Sequence, residues 1–240
     1  MKKRKPYKLK LKRGPIFGFL KSIFKIFKRK PEIINLSGEE LQDKAIYLSN
    51  HGGAGGPITY ELYFPNRVTP WGAHEMTGNY KTRWKYLYHV FYQQKLHWDK
   101  VKSFIVATLF AIVSKMVYKG AGLIPTYTDN RFIYSAKTSC RVLDENSALL
   151  IFPENSENGY SNPPTAFNNG FVVMSKIYNR IRKIDLPVYI CYYIKKLKKI
   201  IISKPIFVNK MIASGMTDEE VASEALKINQ QIYNEYASVN

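Results

Sequence analysis

Short apolar runs and longer stretches with apolar residues at every third or fourth position alternate along most of this chain. The runs Ala45–Ser49, Leu123–Thr126, Ala148–Phe152, Leu186–Tyr193 and Ile200–Ser203 read as strands apolar on both faces, as a sheet covered on both sides requires. Arg67–Gly72 reads as an edge strand, because Pro70 offers no N–H to a ladder. Glu32–Gly38 predicts a linker and short strand, with Ser37 and Glu40 at the spacing of a capping box. Pro57 opens a helix over Ile58–Tyr63 that Pro65 ends, and Asn79 caps one over Tyr80–Leu96 with the stripe Trp84, Leu87, Tyr88 and Phe91. Further helices are expected over Val101–Tyr118, Phe132–Leu143 and Phe167–Arg182, and one capped by Thr217 and Glu220 that runs through Tyr236. Lys195–Lys199 is a basic turn between two of the strands. This alternation predicts an α/β fold with a mixed, mostly parallel sheet flanked by helices.

The first thirty residues follow a different pattern. Phe17, Phe19, Leu20, Ile23, Phe24, Ile26 and Phe27 recur at helical steps with Ile16, while Lys21, Lys25 and Lys28 fall between them. Of the 37 Lys and Arg, 13 lie in residues 1–30, which hold no Asp or Glu, so a formal charge of +19 belongs mostly to this arm. A basic amphipathic helix of this kind suits a membrane interface, with rings among acyl chains and lysines at anionic headgroups. Packing on the domain and nucleic-acid binding by Met1–Arg13 are the other readings. The row of large apolar residues favours lipid, and no nucleic-acid partner is expected. The chain therefore divides into a membrane-interface arm, 1–30, and an α/β domain, 31–240.

Lysines interrupt the arm too often for a signal peptide, and no apolar run reaches the roughly 18 residues that span a bilayer. The longest, Phe104–Val113, is either a buried core helix or a helix dipping into one leaflet. Two cysteines far apart, Cys140 and Cys191, fit a reducing compartment. A protein held peripherally on the cytoplasmic, inner face of a membrane is expected.

Chemistry concentrates at two strand ends. Ala45–Ser49 runs into Asn50-His51 and the small-residue loop Gly52-Gly53-Ala54-Gly55-Gly56, which puts an imidazole at the edge of the sheet where ligands bind. Glycines beside the ring let a substrate hydroxyl approach, so His51 is the candidate general base. A histidine held only by structural hydrogen bonds is the alternative. No spacing of His74, His89, His97 and the cysteines suits a metal. There is no Gly-x-Ser-x-Gly elbow and no phosphate-loop Lys-Ser or Lys-Thr.

Asn50-His51 after one strand and Phe152-Pro153-Glu154 after a later one resemble the lysophosphatidate and glycerol-phosphate acyltransferase family. Gly122-Leu123-Ile124-Pro125, Phe167-Asn168-Asn169-Gly170 and Lys204-Pro205-Ile206 keep that family's order, so the resemblance covers about residues 32–236. The chain departs from the pattern at Gly56, where the family has an Asp that orients the histidine, at Asn155-Ser156-Glu157, where it has Gly-Thr-Arg, and at Thr128, where it has Arg.

The resemblance implies an acyltransferase-like fold and an O-acyltransferase that needs no cofactor. It would move a fatty acyl group from acyl-CoA, acyl carrier protein or acyl phosphate to a lysophospholipid-like acceptor such as 1-acyl-glycerol-3-phosphate. His51 is then the base. Glu61, a turn and a quarter beyond Gly56, is by its spacing the candidate to reach back in place of the missing Asp, with an exposed helix carboxylate as the alternative. Asn50, Arg131, Pro153, Glu154, Asn155, Ser156 and Lys204 are the expected substrate-binding residues, Arg131 as the phosphate ligand. The rival is a catalytically impaired lipid-binding protein of the same fold.

Overall fold

The computed structural model describes residues 14–53 and 55–237. The basic run Met1–Arg13 lies outside the described residues.

A mixed sheet of seven strands forms the centre: β1 Glu32–Asn35, β2 Ile46–Ser49, β3 Val68–Ala73, β4 Ile124–Thr126, β5 Ala148–Ile151, β6 Pro187–Ile194 and β7 Lys199–Phe207. Their spatial order is β1-β7-β6-β2-β5-β3-β4, and every neighbouring pair is parallel except β6 with β7. Alternate residues feed two cores. Ile46, Leu48, Leu149, Ile151, Val188 and Ile190 face helices α5 Phe132–Asp144, α6 Gly170–Arg182, α7 Val208–Ala213 and α8 Asp218–Tyr236. Tyr47, Leu150, Tyr189 and Cys191 face α2 Gly55–Tyr63 through Tyr60 and Phe64. A strand wet on one face would show polar residues at every second position, so the unbroken apolar runs follow from this double cover.

A third apolar cluster gathers above the carboxyl ends of β3 and β4. It joins α3 Tyr80–Lys85, a π-helical segment Tyr86–Lys95 and α4 Lys100–Ala121 through Leu87, Phe91, Ala107 and Ala111. Helix α1 Pro15–Phe27 docks by one ring: Phe17 is buried against Gly120 near the end of α4. Further along α1, Lys21 pairs with Glu61 at 3.0 Å, and the Tyr63 hydroxyl bonds the Lys28 carbonyl. Phe19, Ile26 and Phe27 stay exposed.

Several expectations are corrected. The strand over 67–72 is not an edge strand: Val68–Pro70 pairs with β5 and Trp71–Ala73 with β4, so Pro70 sits where the strand changes partner and the ladder is interrupted anyway. Ser37 caps no helix. Asn35 Oδ1 accepts from the Ser37 N–H, and Ser37 Oγ from the Glu39 N–H, closing local turns that compete with helix. The helix expected to continue to Leu96 widens to π geometry at Tyr86. α6 starts at Gly170, because Phe167 is drawn into a bridge with Glu154. α4 is 22 residues long and apolar enough to span a bilayer by length and composition, although lysines break its sequence into shorter apolar runs. At the carboxyl end of the chain, Thr217 and Glu220 form the expected capping box on α8.

A β-carbon on Gly120 would lie 2.1 Å from the Phe17 ring. Gly120→Ala should therefore lift α1 from the domain. Burial of one large ring contributes about 1.5–3 kcal/mol, so trypsin cleavage at Lys21 and Lys25 should rise at least about tenfold while the domain still unfolds cooperatively. Unchanged cleavage would show that Phe17 does not hold the helix.

Candidate functional site

β2 ends at Ser49, and Asn50 continues its pairing by side chain alone. Its Oδ1 accepts the Tyr193 N–H at 2.7 Å and its Nδ2 donates to the Tyr193 carbonyl at 3.2 Å, in a fully buried position. Asn50 is thus occupied in fastening the strand end to β6, not offered to a substrate as expected. The chain then turns through Gly52 and Gly53, both in the left-handed region at φ +54° and +66°, which only glycine adopts without strain.

This turn brings the Gly53 carbonyl back onto the preceding imidazole, 2.5 Å from His51 Nδ1. A carbonyl oxygen only accepts, so Nδ1 carries the hydrogen and Nε2 holds the lone pair. No group among the described residues bonds Nε2. Gly56 lies inside the first turn of α2 instead of capping it, and a β-carbon there would sit 2.3 Å from the His51 carbonyl. The fold of this loop therefore excludes an aspartate at 56 and supplies a backbone acceptor in its place. Glu61 does not reach back. Its carboxylate faces the other way, to Lys21 on α1, beside a surface cleft shared with Asn66 and Arg67.

The second strand end arrives as expected. Glu154 follows β5, the neighbour of β2, and its Oε1 accepts the His51 backbone N–H at 2.8 Å. Pro153 is buried, and its carbonyl takes the Asn168 N–H at 2.7 Å. Asn155 is exposed, with its N–H on the Ala166 carbonyl, and Ser156 is buried beside Tyr160. Glu154 Oε2 is buried with no hydrogen-bond partner among the described residues.

Aromatic rings enclose the imidazole. Tyr160 stacks on it at 4.4 Å between centroids, Phe152 tilts against it at 5.0 Å and Phe91 at 6.1 Å. Burial holds the His51 pKa down to about 4, with the nearby Lys95 charge acting in the same direction and the Gly53 bond opposing both. The ring is therefore neutral at physiological pH. Burial pushes the Glu154 carboxyl up to about 7, against the pull of the His51 N–H and Lys95.

Lys95 is the cation that sequence reasoning missed. It stands at the end of the π-helical segment with Nζ 5.6 Å from the Tyr160 ring, and burial lowers its pKa while Glu154 and Glu75 raise it. The 3.6-residue periodicity gave no sign of it, since the π turn re-aims the residues beyond Tyr86. Tyr160, which closes over His51 from the loop after Gly159, carried no sequence signal either.

Two expected ligands lie elsewhere. Arg131 follows β4 on the same edge of the sheet, but β4 is three strand spacings from β2, about 14 Å. Its fork is spent on Asp129 at 2.7–2.9 Å and its plane on Tyr127, and that pairing holds Asp129 down to about 2. Lys204 sits within β7. The antiparallel course from Lys199, level with Ile194, carries it five residues away from the His51 edge, about 16 Å, into solvent.

With this geometry in place, the class that the structure defines is an α/β protein in which two adjacent strand ends meet, the Glu154 carboxylate accepting the backbone N–H of His51 while the His51 ring is held by the Gly53 carbonyl. No protein-family profile matches the chain, and no curated protein matches it.

The Glu154 carboxyl sets a pH dependence. Its folded pKa lies above the ordinary 4.5, so the folded protein keeps a proton that the unfolded chain releases. This contribution is complete below about pH 4.5 and is lost as pH rises through about 7. Glu154→Gln keeps the acceptor for the His51 N–H and cannot ionise. In urea titrations its stability relative to wild type should increase from about pH 5 to 8 and then level off. A constant difference over that range would mean that Glu154 ionises normally.

Proposed function

We propose that this protein is a membrane-associated O-acyltransferase with an acyltransferase-like fold. It would transfer a fatty acyl group from a thioester or acyl phosphate to a hydroxyl of a lysophospholipid-like acceptor. The observation that carries this reading is the His51 ring, fixed at Nδ1 by the Gly53 carbonyl and in contact with the Phe152-Pro153-Glu154 turn. Resemblance of the motifs in order along the chain adds to it.

In this reading the acceptor hydroxyl gives its proton to Nε2 as its oxygen bonds to the acyl carbon. The bond from acyl carbon to sulfur, or to phosphate oxygen, then breaks, and the departing group takes the proton from Nε2. Burial and the Lys95 charge lower the affinity of the ring for that proton, which weakens His51 in the first transfer and helps it release the proton in the second. Glu154 Oε2 would receive a second acceptor hydroxyl, and Lys95 would face the acceptor's phosphate.

The stack of Tyr160 on His51 favours a second reading, a lipid-binding protein of this fold without turnover. Incubation of the purified protein with labelled acyl thioester and a panel of lyso-acceptors separates the two. The enzyme reading expects acylated product, a fall of about a hundred- to ten-thousandfold in kcat for His51→Gln, and a raised KM for phosphate-bearing acceptors in Lys95→Met. Lipid binding without product in the wild type, or product at the wild-type rate in His51→Gln, would overturn it.

A further inference from the structure

Helix α4 turns Val106 and Phe110 toward the cluster beneath it but carries most of its large apolar residues on the outside. Its buried residues are Ser103, Ala107, Ala111 and Ser114, all small. Arg83, itself buried, holds this inner face through hydrogen bonds to Ser114 Oγ at 2.9 Å and the Ala111 carbonyl at 3.0 Å. Trp84 Nε1 adds a bond to Thr108 Oγ1 at 3.0 Å. The opposite face presents Ile105, Leu109, Ile112 and Met116, with Leu109 64% and Ile112 65% exposed. Exposed apolar residues in one unbroken helical row mark a surface that something apolar covers.

Charge identifies the cover. Lysines stand at both ends of the row, Lys100 and Lys102 at one and Lys115 and Lys119 at the other, and no Asp or Glu occurs from Lys100 to Thr128. α1, which meets α4 where Phe17 rests on Gly120, exposes its own Phe19, Ile26 and Phe27 and belongs to a stretch of thirty residues without an acid. A second copy of the chain would bring two such basic surfaces together in an apolar contact, with no carboxylate on either row to pair them. A bilayer with anionic headgroups satisfies both the apolar row and its lysines. Crossing the bilayer would require α4 to leave Arg83, stranding a buried guanidinium and its partners.

We propose that the outer face of α4, with α1 beside it, seats this protein on an anionic membrane, the helix lying along one leaflet. This deepens the membrane association proposed above and stands apart from the chemistry at His51. The far end of α1 touches the catalytic loop, since Lys28 Nζ donates to the Gly55 carbonyl at 3.4 Å.

The test is vesicle flotation of the full chain with the double variant Leu109→Glu, Ile112→Glu, using vesicles of equal parts phosphatidylcholine and phosphatidylglycerol. Salt of about 1 M shortens electrostatic reach to about 3 Å and silences the basic arm. Under these conditions the wild type should still float, and the double variant should partition about a hundredfold less. Leu109→Trp, Ile112→Trp, which keeps the face apolar, should float at least as well as wild type. Equal flotation of the glutamate variant and wild type would overturn the proposal. So would a wild-type dimer that the glutamate variant dissociates while neither protein binds vesicles. Turnover of a water-soluble, short-chain acceptor by both proteins reports on His51 alone, so failure of one proposal is visible without the other.

Discussion

The hydrogen bond from His51 Nδ1 to the Gly53 carbonyl is the contact on which the candidate site depends. It exists because two glycines in left-handed geometry fold the chain back within two residues, and because Gly56 lets α2 close against the His51 carbonyl. A carboxylate partner would orient the ring and stabilise the imidazolium. A neutral carbonyl orients it and contributes far less to the charged form, so burial prevails and the ring stays unprotonated. The loop has exchanged basicity for a permanently available lone pair.

The rest of the fold positions this loop. Parallel pairing of β2 with β5 brings Glu154 against the His51 backbone, and parallel pairing of β2 with β6 lets Asn50 clamp the strand end to Tyr193. The helical cluster above β3 and β4 supplies Phe91 and Lys95 from the side. α1 runs from Gly120 on α4 toward Gly55 beside the site, and its contacts include the buried Phe17 ring, the Lys21–Glu61 ion pair, the Tyr63 hydroxyl on the Lys28 carbonyl and Lys28 Nζ on the Gly55 carbonyl.

The strands and most helices were legible from the chain because burial on two faces writes unbroken apolar runs, and because Thr217 with Glu220 marks a helix start by local chemistry. His51 and Glu154 were legible for a related reason: polar residues directly after such runs have to emerge at a sheet edge. What stayed hidden depends on distant geometry. Arg131 reads as a free cation until Asp129, two residues away, takes its fork. Lys204 reads as a loop residue until the antiparallel register of β7 extends past it. Lys95 enters the site only because the helix widens after Lys85, and Glu61 is diverted by Lys21, forty residues earlier in the chain.

Nitrogen-detected NMR of the His51 ring, with the signal assigned by its loss in His51→Gln, tests the central contact most directly. The geometry predicts hydrogen on Nδ1, a bare Nε2 and no protonation until the pH falls to about 4. A ring that carries its hydrogen on Nε2, or that titrates near its ordinary 6.5, would contradict it.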